Sequence, residues 1–358
     1  MTIPTEPTPS TPTSSPAPLT YADAGVDLDA AERSVDLLKE VVQRATRPEV
    51  LGGLGGFGGL FELDLSKWRN PVLVSGTDGA GTKVDLARRM GILDTIGRDV
   101  VAMVVDDLVV VGAEPLFFND YISVGRLDPG RVADLVRGIA DGCADAGCAL
   151  VGGETAEHPG LLADDEFDLA GFAVGIVEKD DLLGAHRVRE GDAVVFMASS
   201  GLHSNGYSLA RRIADGHDLD ADVLGDGSTL GAALLEPTRI YALDCLSLAR
   251  SSEVDLHALC HVTGGGLPGN LPRILPDHLS ISVDTSTWEW PPLVVWLAET
   301  GPVERAEMWR TFNCGVGMVA VVAAEHADAC VALLAHRGVQ AWIAGEVVPG
   351  GGEVLGLT

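Results

Sequence analysis

Val72-Leu73-Val74-Ser75-Gly76-Thr77-Asp78-Gly79-Ala80-Gly81-Thr82-Lys83 is the most informative stretch of this 358-residue sequence. Its apolar run predicts a buried strand, which ends in a turn that carries a carboxylate, glycines, hydroxyl side chains and a lysine. Small residues let backbone N–H groups approach phosphate oxygens, and Asp78 can hold a divalent cation against the same phosphates. Gly76 and Gly81 have the spacing of a Walker loop, but Thr82-Lys83 reverses the order of its last two residues. The stretch therefore predicts a phosphate site of another kind, formed by Asp78, Gly79, Gly81, Thr82 and Lys83.

The composition is that of an acidic protein with enough apolar residues for about two domains. Hydrophobic residues make up 46% of the chain, and the net charge is −28. That charge argues against nucleic acid as a partner and means that bound phosphates would need a metal ion as intermediary. Residues 1–18 lack the basic and apolar regions of a secretory signal, and no apolar run reaches the roughly 18 residues that span a bilayer. We therefore expect a cytoplasmic protein without membrane contact and with a disordered tail over residues 1–20, rich in Pro, Thr and Ser.

Strand and helix patterns alternate in both halves of the chain, which predicts two α/β domains. The polar run before Gly191 is the expected boundary, with domains over residues 21–188 and 189–358. The predicted strands are 71–77, 100–105, 148–152, 168–177, 193–198, 279–283, 316–322 and 339–347. The predicted helices are 29–47, 129–145 with Asp128 as its cap, 204–213, 237–249 and 324–336.

Carboxylates follow three of the predicted strands in the first half. Besides Asp78, the pair Asp106-Asp107 follows the apolar run 100–105, and Gly152-Gly153-Glu154-Thr155-Ala156-Glu157 follows the run 148–152. Asp is also a common helix cap, but a cap needs one carboxylate and not two. Strand ends that are acidic and flanked by glycine predict a magnesium–polyphosphate site, in which one of the two glutamates is structural.

Two loops of the second half are suited to binding an anion. In Ser199-Ser200-Gly201-Leu202-His203-Ser204-Asn205-Gly206-Tyr207-Ser208, a predicted strand leads into a helix whose first N–H groups can bind a phosphate. His203 is either a catalytic group at the mouth of this pocket or a packed histidine; spacing alone does not decide. His261-Val262-Thr263-Gly264-Gly265-Gly266 is a second glycine turn before a helix, and Arg310 and Asn313 are further polar candidates.

The glycine-rich segment Gly52-Gly53-Leu54-Gly55-Gly56-Phe57-Gly58-Gly59 contains GxGxxG but follows a helix, so a dinucleotide fold is not indicated. It is either a lid over a ligand or a linker.

Motifs along most of the chain resemble the phosphoribosylformylglycinamidine cyclo-ligase (aminoimidazole ribonucleotide synthetase) family of the purine-biosynthesis ATP-binding superfamily. The resemblance covers about residues 21–347. It rests on Tyr21-Ala22-Asp23-Ala24-Gly25-Val26-Asp27, residues 75–83, Gly112-Ala113-Glu114-Pro115-Leu116-Phe117-Phe118, 152–157, 203–208, Glu236-Pro237-Thr238-Arg239-Ile240-Tyr241, 261–266 and 310–318.

The resemblance implies ATP-dependent closure of an imidazole ring from formylglycinamidine ribonucleotide, with Mg²⁺ and ATP as cofactors. It also implies a homodimer whose amino-terminal domains jointly form a β-barrel, with carboxy-terminal α/β domains outside. Asp78, Asp107 and Glu154 would hold the metal, and ATP would contact Asp78, Gly79, Gly81, Thr82, Lys83, Asp107, Glu154 and Thr155. Catalysis would fall to His203, Asp107 and Lys83, and substrate binding to Ser204, Asn205, Gly206, Thr263, Gly264, Gly265, Gly266, Arg310 and Asn313.

Two positions depart from the family. The family often has Asn-Asp where this chain has Asp106-Asp107, so Asp106 either adds charge to the metal site or replaces an amide. Gly269 stands where a glutamate usually precedes Asn270, which removes a supposed substrate contact.

Overall fold

The computed structural model describes residues 19–20, 28–53 and 56–357. The motif at 21–27, nearly all of the predicted tail, and Leu54 and Gly55 of the glycine-rich segment lie outside these residues. None of the helices in the described part is both long and apolar enough to cross a membrane.

The amino-terminal half is built on a four-stranded sheet with helices on one face. The strand order is β3-β6-β4-β5; β4 and β5 run parallel and the other pairs antiparallel. The helix α3 packs on β3 and β6, while α4 packs on α3, β4 and β5. The strands are β1 Val50–Leu51, β2 Leu60–Phe61, β3 Pro71–Gly79, β4 Glu114–Val124, β5 Ala149–Glu157 and β6 Phe167–Glu178. The helices are α1 Leu28–Val42, α2 Lys83–Met90, α3 Asp94–Val109 and α4 Pro129–Ala146.

The strand predicted at 100–105 is wrong, because these residues belong to α3. Every side chain from Val100 to Asp106 is at most 2% exposed, since α3 is covered by the sheet, by α4 and by elements of the second half. A helix buried on all sides reads as an unbroken apolar run and loses the periodicity that separates helix from strand. Asp106 and Asp107 therefore lie in the last turn of a helix and do not follow a strand.

The carboxy-terminal half is a six-stranded sheet in the order β12-β9-β11-β7-β10-β8, antiparallel except for the pair β12–β9. Predicted strands 193–198, 279–283 and 316–322 have the observed bounds, and the strand predicted at 339–347 begins two residues later. The strands are β7 Ala193–Ala198, β8 Leu256–His261, β9 Leu279–Val283, β10 Val316–Val322, β11 Ala341–Pro349 and β12 Val354–Leu355. The helices are α5 Tyr207–Ala214, α6 Leu230–Leu235, α7 Ala242–Ala249, α8 Gly266–Asn270, α9 Pro292–Thr300, α10 Arg305–Thr311 and α11 Ala327–His336.

The fold of the described residues is thus mixed α/β, as predicted, with one large sheet in each half and a two-stranded sheet, β1-β2, in the first half. The connection at 179–192 contains the predicted boundary between residues 188 and 189. The prediction missed β4 and β8, and β8 is an edge strand that leads directly into the 263–266 turn.

Candidate functional site

The phosphate-type turn of the first half meets an anion-type loop of the second half. The turn at residues 79–82 connects β3 to α2, and Gly81 adopts a φ of 63° that favours glycine. The Oγ1 atom of Thr82 lies 3.3 Å from the Oγ atom of Ser208 at the start of α5. A Cβ at Gly81 would lie 3.7 Å from the carbonyl oxygen of Ser204, so the two segments are in van der Waals contact. The two halves of the chain meet at this contact, and the region around it is called the cleft below.

Three carboxylates and one imidazole lie together at this cleft. The Nδ1 atom of His261, at the end of β8, is 2.9 Å from an oxygen of Asp107, and the His261 side chain is 2% exposed while that of Asp107 is 48% exposed. Burial by itself lowers the pKa of His261, but Asp107, Asp106 and Asp78 together raise it above its ordinary value. Desolvation, and then the Asp107 charge, raise the pKa of Asp78, although its side chain reaches the surface. The site is therefore a cluster of excess negative charge.

The residues present fit a magnesium–polyphosphate complex. No group of three His, Cys, Asp or Glu in the described chain is arranged to hold a metal ion by itself. Mg²⁺, however, is commonly held by one or two carboxylates together with substrate phosphates and water. Asp78, which directly precedes the 79–82 turn, and Asp107, whose charge raises the pKa of Asp78, are the two carboxylates that would hold it.

Glu154 lies apart from Asp78 and Asp107 within the chain, so the prediction that one ion is held by all three residues gains no support from a single chain and stays a prediction. β3 and β5 are the two edges of the four-stranded sheet, about 14 Å apart at three strand spacings. Asp78 is aligned across the sheet with Gly171, Asp120 and Gly153 on the face that α3 and α4 cover, whereas Glu154 pairs with Tyr121 on the other face. A one-residue offset along a strand moves a side chain to the opposite face.

Glu154 and Thr155 instead line a cavity of about 520 Å³ between α1, α4 and β5. The described glycines of the glycine-rich segment form one wall, and a Cβ at Gly59 would lie 2.7 Å from Val151. The segment connects the hairpin strands β1 and β2 and also closes a cavity, which favours the lid interpretation over a linker. Desolvation raises the pKa of Asp120, another lining residue, to about 7.

Lys83 does not reach the cleft. Its ammonium group is fully buried, forms an ion pair with Asp99 at 2.9 Å, and donates to the carbonyl oxygens of His203 at 3.0 Å and Glu236 at 2.7 Å. These three partners use its three N–H donors. The prediction that Lys83 contacts ATP phosphates is therefore not supported; it joins the two halves of the chain behind the site.

His203 is also turned away from the cleft. The residue has a φ of 63° and is 1% exposed, and its Nε2 atom accepts a hydrogen bond from the Ser200 N–H at 3.3 Å. Its ring packs beside Tyr241, and burial, followed by the charges of His261, Lys83 and Arg239, lowers its pKa well below the usual value. A neutral, buried ring at this position orders the 199–206 loop. Of the two interpretations of His203 that spacing left open, these contacts favour the packed histidine, and its catalytic role stays a prediction.

The remaining predicted substrate residues divide into two groups. Asn205, Thr263, Gly264 and Gly265 retain exposure at the cleft, and Arg310 is exposed at the end of α10. Asn313 is buried and bonded internally to the Gly201 carbonyl at 2.8 Å and the Gly315 N–H at 3.0 Å, so it holds loops together and offers no free group. Ser204 is buried, and Gly206 and Gly266 pack against the 309–312 segment.

Sequence reasoning missed Asp99 and did not recognise that Asp106 and Asn270 hold the site in place. Asp99 accepts from the Thr238 N–H at 2.8 Å and hydroxyl at 2.6 Å, and Asp106 accepts from the Tyr241 N–H at 3.0 Å. The two aspartates are seven residues apart and so share one face of α3, a spacing that could have been noticed once 94–109 was read as a helix. Asn270 donates to three carbonyl oxygens of the 263–266 turn.

Comparison with solved structures gives matches over most of the chain. A thiamine-monophosphate kinase from Stenotrophomonas maltophilia matches with a TM-score of 0.64 and 21% identity, over 89% of this chain and 95% of that one. A hydrogenase maturation protein HypE in complex with ATP matches with a TM-score of 0.63 and 20% identity, over 88% of each chain. T. maritima PurL complexed with FGAR matches with a TM-score of 0.54 and 16% identity, over 89% of this chain and 49% of that one. At these identities the matches show a shared fold.

Two protein-family models match consecutive parts of the sequence and together cover most of it. Residues 65–177 match the model described as AIR synthase related protein, N-terminal domain, and residues 189–358 match AIR synthase related protein, C-terminal domain. The chain therefore belongs to the AIR synthase-related superfamily, whose amino-terminal and carboxy-terminal domains it carries in that order.

Proposed function

We propose that this protein uses ATP and Mg²⁺ to close the imidazole ring of 5-aminoimidazole ribonucleotide from formylglycinamidine ribonucleotide, giving ADP and phosphate. The observation that carries the proposal is the contact between the 79–82 turn and the 204–208 loop beside Asp78 and Asp107. This contact brings a phosphate-type turn with a carboxylate pair next to the second half of the chain, where a Cβ at Gly264 of the 263–266 turn would lie 3.4 Å from the Asn205 Oδ1 atom. A reaction between a nucleotide and a phosphorylated substrate requires two such anion sites side by side. The choice of ring closure among the reactions of this superfamily rests on the motifs given under Sequence analysis.

The chemical difficulty of the reaction is that an amide oxygen is a poor leaving group. Transfer of the γ-phosphoryl group of ATP to that oxygen gives an iminophosphate, which the amine nitrogen of the same substrate attacks, so that the ring C–N bond forms and phosphate leaves. Mg²⁺, when bound by Asp78 and Asp107, would offset charge on the transferring phosphoryl group. The 79–82 backbone would orient the triphosphate, and the Thr82 and Ser208 hydroxyls can hydrogen-bond at the contact between the two segments.

We assign the ribose phosphate of the substrate to the 263–266 turn. Gly264 and Gly265 are exposed, and the turn is braced by Asn270, so its N–H groups are held in place for an anion. The competing 203–206 loop is occupied by its own packing, since His203 is buried and a Cβ at Gly206 would lie only 2.5 Å from the Phe312 ring.

The decisive experiment supplies formylglycinamidine ribonucleotide with Mg²⁺ and ATP and measures aminoimidazole ribonucleotide and ADP. Asp107→Ala should lower the rate more than about 100-fold while the protein stays folded, because Asp107 is half exposed and its removal leaves no cavity. Thiamine monophosphate serves as the control substrate. Phosphorylation of that compound without ring closure, or full activity of Asp107→Ala, would contradict the proposal.

We also propose that the protein works as a homodimer joined through the face of the four-stranded sheet opposite α3 and α4. The part of this face that the β1–β2 hairpin leaves open among the described residues is called the uncovered face. Leu73, Tyr121 and Phe172 are 63%, 44% and 42% exposed on this face, and the edge strands β3 and β5 each pair on one side only. An apolar face beside two open sheet edges favours closure with a second copy, in line with the jointly formed barrel that the resemblance implies.

A further inference from the structure

The last turn of α3 carries two carboxylate side chains, although basic side chains are favoured at the carboxyl end of a helix. Asp106 and Asp107 lie within the final four residues, and no basic residue of α3 lies in that turn. The carbonyl end of a helix bears partial negative charge, so an ionised carboxylate is destabilised there. Asp78 adds a third negative charge nearby. A helix end that breaks a local rule in this way must be stabilised from outside the helix, and such violations occur mainly at functional sites.

His261 supplies that stabilisation from the other half of the chain. An ionised carboxylate can only accept a hydrogen bond, so the proton lies on Nδ1 of His261 and is donated to Asp107 over 2.9 Å. The imidazole is almost fully buried, whereas half of the Asp107 side chain reaches the cleft. One oxygen of the carboxylate is therefore fixed by a rigid partner, and the other remains free to bind a cation.

The same residue is joined to the second anion-binding element. His261 is the last residue of β8, and the 263–266 turn begins two residues later. Three hydrogen bonds from the Asn270 amide to carbonyl oxygens of residues 263, 264 and 266 make that turn stiff. The turn and Asp107 are thus both attached to His261, the first through the backbone and the second through a hydrogen bond.

We propose that His261 is a positioning residue that holds the Asp107 carboxylate for a divalent cation bound to a nucleotide and that connects this cation site with the 263–266 turn. The inference rests on the proposed function, since it requires a metal–nucleotide at Asp107. Hydrogen bonds to metal ligands commonly set the orientation of the ligand, and their loss typically lowers metal affinity 10- to 100-fold.

Two amide substitutions of His261 test whether the hydrogen-bond donor at the Nδ1 position holds the Asp107 carboxylate. In His261→Asn the side-chain N–H can take the place of Nδ1–H, whereas in His261→Gln it takes the place of Nε2–H and leaves Asp107 without its donor. Calorimetric titration with the non-hydrolysable analogue AMPPCP in excess Mg²⁺ should give about a 10- to 100-fold weaker dissociation constant for His261→Gln and a value close to wild type for His261→Asn. In EDTA, binding of AMPPCP to both variants should equal that of the wild type.

His257→Ala is the matched control. His257 lies in the same strand, is 3% exposed, and pairs through Nδ1 with Asp192 at 2.6 Å, away from the cleft. This variant loses a buried His–Asp pair of the same kind and should bind Mg²⁺–AMPPCP as the wild type does. The inference is overturned if His261→Gln and His261→Asn bind Mg²⁺–AMPPCP with equal affinity. It is also overturned if His257→Ala loses as much affinity as His261→Gln. Neither result would contradict the proposed function. Failure of the wild type to bind Mg²⁺–AMPPCP overturns the proposed function as well.

Discussion

Asp106 departs from the family pattern, and its surroundings in the structure decide between the two interpretations of this departure. Its carboxylate is fully buried, and both oxygens lie near the Tyr241 N–H, at 3.0 and 3.2 Å. Desolvation raises its pKa to about 7, against which His261 and the Tyr241 hydrogen bond act only in part. Because an asparagine offers the same acceptor oxygen, the structure favours replacement of an amide over an added metal ligand at this position.

Asp106→Asn should therefore change how stability depends on pH. The folded pKa of about 7 lies above the unfolded value near 4, so the stabilisation from the protonated carboxyl is complete below about pH 4 and is lost as the pH rises through 7. In EDTA, the free energy of unfolding of Asp106→Asn relative to wild type should rise between pH 5 and pH 8, by up to about 2.6 kcal/mol, since about two pH units of the affected interval lie in that range. Denaturant titrations at both pH values measure this, and a difference that does not vary with pH would refute it.

At the scale of elements, α3 is the helix on which both halves are assembled. Its buried face carries Asp99 and Asp106, which receive backbone N–H groups from the 236–241 segment, while Lys83 at the start of α2 completes the connection. In the sequence, the segment 236–241 was identified only through the family resemblance. In the structure, its hydrogen bonds to α3 fix the second half against the first. The cleft keeps its shape because these contacts lie directly behind it.

Lys83→Met should destabilise the protein by about 3–5 kcal/mol, because it leaves the Asp99 charge buried without its cation. The exposed pair Lys39–Asp36 provides the control: it has side chains 57% and 75% exposed, and Lys39→Met should cost less than about 1 kcal/mol. Urea unfolding of both variants measures the two values. Similar small losses in both would show that the buried pair does not hold the halves together.

The glycine turn before α8 offers a comparison of two nearby positions. Gly266 has a φ of 58°, and a Cβ there would collide with the carbonyl oxygen of Trp309, whereas nothing lies within 4 Å of a Cβ at Gly269. Gly266→Ala should lower the free energy of unfolding by at least about 1–2 kcal/mol, and Gly269→Ala should be neutral or slightly stabilising. Thermal unfolding of the two variants measures this difference. Equal melting temperatures would contradict the prediction that a side chain is tolerated at position 269 but not at position 266.

At the scale of the whole molecule, the proposed dimer can be tested on the uncovered sheet face. Phe172→Asp places a charge in the middle of that face and should convert a dimer into a monomer in sedimentation equilibrium. Leu161→Asp changes a side chain that is 83% exposed in the connection between β5 and β6 and should leave the assembly unchanged. A wild-type protein that sediments as a monomer would rule out the dimer.

Local pattern was sufficient for elements whose residues alternate or are bounded by turns. The strands at 193–198, 279–283 and 316–322 were predicted with their observed bounds, and Asp128 caps α4 through N–H groups of Gly130 and Arg131. Local pattern failed where burial was complete, as in α3, because an all-apolar run is compatible with helix and strand alike. The strand β4 was missed because its sequence was noticed only as a motif.

The sequence by itself determined the mixed α/β class, the acidic character and the candidate phosphate-type segments, because short-range spacing and composition carry that information. Only the tertiary structure decided which candidates meet: it joined Asp78 and Asp107 to His261, placed Glu154 on another face, and turned Lys83 and His203 inward. The physical reason is that strand order, strand register and the packing of one half on the other arise from contacts between residues far apart in the chain, and a shift of one residue in register reverses the face on which a side chain lies.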